Sequence, residues 1–190
     1  MAQERRLGHS VQLGAGVFLE TNQSAGPGVA VRAAYELDVP IGAGWSMAPS
    51  IGVRGQRSDL NALLKGAVGG LSHAMVVGEL YCAIKYQLAL GGKSLVFGIA
   101  PGADYSFSHQ KYHFSAEPRP EDPLSKISGK PIFKDFNLGL RPSVLFWINR
   151  HWGVGLEATI GLLQAKVQYP EYPVGETRLN SVMLVGSYRF

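Results

Sequence analysis

The feature that most constrains this chain is a period of two in its apolar residues, which recurs in almost every segment long enough to show one. Over 9–20, His9, Val11, Leu13, Ala15, Val17 and Leu19 alternate with Ser10, Gln12, Gly14, Gly16, Phe18 and Glu20. The same alternation runs through 29–39, 45–57, 74–88, 95–107, 135–148, 152–162 and 179–190. Successive residues of a strand face opposite ways, whereas an amphipathic helix needs apolar spacings of three and four. The chain therefore reads as eight strands, each long enough to cross hydrocarbon when tilted. Only 59–66, DLNALLKG, reads otherwise, as one helical turn capped by Asp59.

The links between these segments carry a second pattern. PIGAG, GGKS and NRH join the second to the third, the fourth to the fifth and the sixth to the seventh segment. The remaining links are longer, and the longest is a polar, Pro-rich stretch at about 108–134. Strict alternation of short and long links, with both termini on the short side, is the signature of an up-and-down barrel, and of outer-membrane barrels in particular. Water-soluble barrels share the alternation, so the deciding question is which face is apolar. One face carries Gly, Ser and nine charges: Glu36, Glu79, Asp104, Asp135, Glu157, Arg32, Arg54, Lys85 and Arg141. The other carries Trp45, Phe97, Tyr105, Phe107, Phe136, Phe146, Trp152 and Tyr188 with many aliphatics. An eight-stranded barrel has an interior just wide enough for side chains, so the bulky face would overfill it. The small and charged face fits inside, where opposite charges can pair, and the bulky face meets lipid.

Composition agrees with this choice. Only 17% of residues are charged, against about 25% in soluble domains, and the 24 glycines are scattered through apolar segments. The absence of an 18-residue apolar run argues against a membrane-spanning helix. A net charge of +4 without a Lys/Arg run gives no nucleic-acid footprint. The single cysteine, Cys82, excludes an internal disulfide and reads as a small apolar residue on the lipid face. Ala2-Gln3-Glu4 is expected to be the mature start after signal cleavage, with Met1 added.

Candidate sites follow from the two faces. Arg32, Arg54, Glu79, Lys85, Asp104, Arg141 and Glu157 are expected to form a charge network that plugs the lumen. Trp45, Tyr86, Trp152, Tyr188 and Phe190 fall near the short-link ends and are expected to form an interfacial aromatic girdle. His9 is expected at the same interface. Pro49, Pro101 and Pro142 interrupt strands on the lipid face, where bulges are expected. Ser108, His109 and His113 at the long-link rim would suit a lipid-modifying enzyme, but a polar loop base is the commoner origin of such residues. Two histidines without a third ligand make a weak metal site, so no metal and no cofactor is expected. Tyr169, Pro170, Tyr172 and Pro173 could offer a contact surface, and Lys126 and Lys130 could meet lipopolysaccharide phosphates.

The stretches APSIGVRG (48–55), VVGELYCAIKYQL (76–88), FGIAPGADYSFS (97–108), FNLGLRPSV (136–144) and LVGSYRF (184–190) resemble the small PorT-like outer-membrane β-barrels of Bacteroidetes. The family's fourth strand usually opens Leu-Glu-x-Pro, and GEL stands here without the proline. The resemblance implies an integral protein of the Gram-negative outer membrane, with periplasmic termini. It implies a C-terminal aromatic, here Phe190 after Tyr188, of the kind read by the outer-membrane assembly machinery. The expectation is thus an all-β chain, 1–190, forming one eight-stranded antiparallel up-and-down transmembrane β-barrel. Its expected role is non-enzymatic, with external loops for a ligand or partner. A narrow, porin-like passive pore, an accessory subunit of an outer-membrane or secretion complex and a rim-located lipid-modifying enzyme are the alternatives.

Overall fold

The computed structural model describes residues 7–21, 27–60, 63–64, 67–114, 131–163 and 178–190; side chains at 20–21, 58–60, 63–64, 67–73, 108–114, 131–135 and 179 are outside the description. Eight long strands account for nearly all of it: β1 (Gly8–Thr21), β2 (Gly28–Gly42), β3 (Trp45–Leu60), β4 (Ala67–Leu90), β5 (Lys93–Phe114), β6 (Pro131–Trp147), β7 (Trp152–Gly161) and β8 (Arg178–Arg189). Each pairs antiparallel with the next, and β8 pairs with β1, so the sheet closes on itself. Closure removes every edge along the shared part of the wall, which is what a hydrocarbon surround requires of a sheet.

The closure is staggered. A row of directly paired residues runs from Lys85 through Gly98, Ser143, Glu157, Met183, Gly16, Ala30 and Gln56, and returns to β4 at Met75, ten residues from its start. Such a shear tilts the strands by about 40° to the axis. It also means that residues facing one another across the lumen are not those adjacent in register.

Three tight connections, the start of β1 and the end of β8 share one end. The two-residue turn Gly91–Gly92 has positive φ at both positions, 54° and 86°, the geometry of a type I′ hairpin that suits glycine. At that end the chain is tied down: Phe190 N–H donates to His9 O at 3.0 Å and Arg189 N–H to His151 O at 2.8 Å.

The long-link end differs from the sequence reading in two ways. The helical turn expected over 59–66 is absent where the chain is described. β3 continues through Asp59 and Leu60, paired with Ser72 and Leu71, and Leu63–Leu64 pairs with Ala67–Val68. A single turn of helix is an unfavourable nucleus, whereas each residue added to a ladder satisfies its backbone against a partner already in place. For the same reason the two ends of the expected 108–134 loop are strand: β5 runs on to Phe114 and β6 resumes at Pro131. Among the described residues the wall is therefore tall over β3–β6 and short over β7, β8, β1 and β2.

The three mid-strand prolines do not bulge the sheet. Register shifts occur instead at Pro40/Gly42 and at Ser108/His109. At each proline one neighbouring ladder skips two residue pairs and resumes in the same register. The skipped pairs are Leu37/Pro49 with Asp38/Ala48, Cys82/Pro101 with Ala83/Ala100, and Ala158/Pro142 with Thr159/Arg141. In each case the two pairs share the one N–H that proline lacks, so a single missing donor accounts for both.

Candidate functional site

The alternation read from the sequence is the alternation of inside and outside. Along β2 every second residue from Gly28 to Glu36 is buried and the ones between are exposed. Arg32, Arg54, Glu79, Lys85, Asp104, Arg141 and Glu157 are all buried, with Arg54 only 1% exposed. They stand on β2, β3, β4, β5, β6 and β7 and converge on the axis.

Six of the seven form one cluster. Arg32 Nε donates to Glu79 Oε2 at 2.7 Å, and its Nη1 donates to Gln12 Oε1 at 3.1 Å. The same Nη1 is 3.2 Å from Glu157 Oε1. Arg54 Nη2 donates to Asp104 Oδ2 at 3.1 Å, and Arg54 Nη1 lies 3.2 Å from Glu79 Oε1. Arg141 Nη2 is 3.0 Å from Glu79 Oε2 and its Nε 3.4 Å from Glu157 Oε1. Glu79 thus meets three arginines, and the cluster of three bases and three acids is formally neutral. Lys85 lies apart from it and pairs with Glu36, whose Oε1 also accepts from Ser10 Oγ at 3.4 Å. That second group is neutral too. The side chain of Asp135 lies outside the described residues.

Between the two groups is a cavity of about 30 Å³, lined by Gln12, Ser50, Tyr81, Lys85, Arg141 and Ser143 among others. It has room for about two water molecules. The Arg141 guanidinium stacks 3.6 Å from the Tyr81 ring centroid. Glycine makes room for that ring: a Cβ at Gly102 would come within 2.4 Å of it, and one at Gly139 within 2.2 Å of Tyr81 Oη. Phe18, Ala30, Met75, Val77, Met183 and Val185 form one apolar group inside the barrel. Val96, Leu145 and Trp147 form another, capped by Arg189, whose guanidinium sits 4.1 Å over Trp147 and pairs with Asp38 at 3.4 Å. Sequence reasoning undercounted these inward apolar residues. Strand parity already put Phe18 on the face of Ser10 and Gln12, and Trp147 shares the parity of Asn137, Gly139 and Arg141 on its own strand.

On the outside, Trp45, Tyr86, Trp152, Tyr188 and Phe190 gather at the short-turn end. Trp45 packs on Tyr86 at 5.0 Å between ring centroids, and Tyr188 lies edge-on to Trp152 at 4.8 Å and to Phe190 at 5.4 Å. His9 stands among them and hydrogen-bonds Tyr35. Aliphatic side chains such as Leu13, Val31, Ile51, Leu80 and Leu184 are exposed above this level. A smaller aromatic group, Tyr105, Phe107 and Phe136, is exposed toward the long-link end. Phe97 and Phe107 stand ten residues apart on β5, or about 25 Å along the axis at ~3.3 Å per residue and a tilt of about 40°. That is the height of the apolar band of an outer-membrane barrel, ≈ 25 Å.

The side chains of Ser108, His109, His113, Lys126, Lys130, Tyr169, Pro170, Tyr172 and Pro173 lie outside the described residues. Among the described residues no group of three His, Cys, Asp or Glu could hold a metal ion. Cys82 is half-buried, and its direct partner in register is Pro49.

No protein-family model and no curated protein sequence matches the chain. Solved structures do. Ail, the attachment invasion locus protein of Yersinia pestis, superposes with a TM-score of 0.52 at 9% identity, covering 97% of each chain. The outer membrane protein OprG of Pseudomonas aeruginosa gives 0.49 at 13% identity over 96% of each chain, and Neisserial surface protein A gives 0.49 at 9% over 97% of each. With a closed, eight-stranded antiparallel wall and this superposition on Ail, the chain has the fold of a small outer-membrane β-barrel.

Proposed function

We propose that the protein is a non-enzymatic integral outer-membrane barrel, its lumen plugged by the charge network and its long-link end free to meet a ligand or partner. The observation that carries this reading is the sorting of side chains across the wall: a formally neutral set of buried ions inside and an unbroken apolar band outside. Removing one partner of such a buried pair is costly, and that cost, with the apolar groups on either side, supports the reading of a plugged lumen. The start of β1, the end of β8 and the tight turns sit at one end, which supports a periplasmic location for that end. Within this class the stretches quoted above favour the PorT-like barrels of Bacteroidetes, and with them the role of an accessory subunit in a larger outer-membrane complex.

Planar-bilayer recording is the test. The wild-type barrel, inserted and folded, is expected to show no steady conductance; discrete channel openings would replace the plug with the narrow-pore reading. Pull-down in mild detergent tests the accessory-subunit role. A lipid A mass change lost on His109→Ala would favour the rim-located enzyme instead. Phe190 is proposed to serve the assembly machinery, so its deletion should lower the amount inserted in cells while leaving barrel refolded in detergent intact. Normal insertion of the deletion would dismiss that role.

A further inference from the structure

The cavity between the two ionic groups has a lining of unequal charge. Arg32, Lys85 and Arg141 border it against only Glu36 and Glu157. Glu79, which balances the third cation, stands outside the lining. Both lining acids are already engaged. Glu157 Oε1 lies 3.2 Å from Arg32 Nη1 and 3.4 Å from Arg141 Nε, and Glu36 Oε1 accepts from Lys85 and Ser10. What the lining still offers is donors.

The chief of these is on Arg141. The residue is 3% exposed, and its Nη1 has no hydrogen-bond partner among the described residues. A buried donor in that condition is rare and calls for an acceptor. Ser143 and Lys85 supply further donors beside it: a hydroxyl, and an ammonium that carries three N–H groups. Lys85, Gly98 and Ser143 are directly paired across β4, β5 and β6, and the glycine keeps this corner open. A Cβ at Gly98 would stand 2.6 Å from Ser143 Oγ and 3.4 Å from Lys85 Cγ.

We propose that this cavity seats one small monovalent anion of the halide class, held by Arg141 Nη1 and the Ser143 hydroxyl beside the Lys85 ammonium. A buried anion needs a compensating charge, and the extra cation of the lining provides it. Space for about two water molecules takes a monatomic ion and excludes a sulfate or a phosphate. Water fits the space, but it must donate as well as accept, whereas a halide only accepts. The seat locks Arg141 between Tyr81 and the ion, and so joins the six-residue cluster to the Lys85–Glu36 pair.

Bromide is the probe. Crystals of the full chain soaked in sodium bromide, with data collected at the bromine edge, should show an anomalous peak within hydrogen-bond reach of Arg141 Nη1 and Ser143 Oγ. A cavity that holds water only, with no such peak, would overturn the seat. In solution, bromide replaces gluconate at constant ionic strength while the barrel is unfolded from lipid vesicles in urea. Above half-saturation, each tenfold rise in bromide should raise the folding equilibrium constant about tenfold. Ser143→Ala removes one donor to an ion and should weaken binding at least about tenfold, so the dependence begins at correspondingly higher bromide. Ser187→Ala removes a buried lumen hydroxyl that is not part of this lining, and should leave the dependence as it is. Equal bromide dependence in wild type and S143A would mark a general salt effect and overturn the seat. Should S143A fail the heat-modifiable gel shift of a folded barrel, the anomalous peak in the wild-type crystal decides alone. Channel openings in planar bilayers would dismiss the plug but not the seat, which the bromine peak reads separately.

Discussion

The inner and outer faces of this wall are built from the same strands, residue by residue in alternation, yet they answer to opposite solvents. Glu79 and Leu80 are neighbours on β4. Glu79 is 4% exposed among three arginines, while Leu80 is 64% exposed on an apolar band. In a soluble barrel the assignments would be reversed. What the contrast teaches is that the strand pattern alone leaves the solvent open, and that volume and charge pairing decide it. A lumen this narrow accepts large ions only where glycines yield space and counter-ions lie within reach.

The strongest way to break the contrast is to spoil the inside. Glu79→Gln removes the carboxylate shared by Arg32, Arg54 and Arg141 and leaves one positive charge uncompensated in the lumen. The expected loss is about 3–5 kcal/mol, measured as the shift of the urea midpoint for unfolding from lipid vesicles. Glu36→Gln strips a single partner, Lys85, and should cost less; equal losses would mean that the six-residue cluster is not a unit. Spoiling the outside is the next largest effect. Leu80→Arg puts a charge near the middle of the apolar band and should cost about 2–4 kcal/mol in the same assay. If that substitution were silent in vesicles, the band would not be facing hydrocarbon.

A fourth variant tests whether lumen packing is as tight as the glycines suggest. Gly139→Ala drives a methyl to 2.2 Å from Tyr81 Oη and 3.2 Å from its Cζ. Overpacking of this kind typically costs about 1–3 kcal/mol. Tyr81→Phe removes the nearer atom, so the double variant should recover much of the loss. A double-mutant cycle with no coupling would show that the ring simply moves aside.

How much of this was legible in the residues differs by level. The period of two located all eight strands, and volume reasoning assigned their faces, because both are properties of single residues in order. The partners were not legible. Glu79 and Arg32 lie 47 residues apart and meet only because the barrel closes with a ten-residue stagger, a quantity that no single segment encodes. The same stagger brings Lys85 to Glu36 rather than to Glu79, six residues away on its own strand. Trp147 shows a different limit: its parity is readable from its own strand, but the cation that covers it, Arg189, arrives from another. The ends of the tall wall were missed because SHQKYHF, 108–114, shows no apolar alternation of its own and is strand through its pairing with 69–75.

The smallest expected effect sharpens the outer face at the level of single hydrogen bonds. Pro142 faces lipid and pairs with Ile99 on one side, while on the other the ladder to β7 skips Ala158 and Thr159 and resumes unshifted at Glu157 and Ile160. If a single absent N–H causes the skip, Pro142→Ala should restore a donor to the Ala158 carbonyl and close both missing pairs. The new bond is worth about 0.5–1.5 kcal/mol, but losing proline returns about 0.4–1 kcal/mol of entropy to the unfolded chain. Net stability should therefore barely move, and the informative readout is amide hydrogen exchange. The new amide at position 142 should become protected, and Ile160 should exchange no faster than before. A new amide that stays unprotected would mean that the wall at β6–β7 is held apart by something other than proline, with Arg141, drawn inward by Glu79 and Glu157, as the first residue to substitute next.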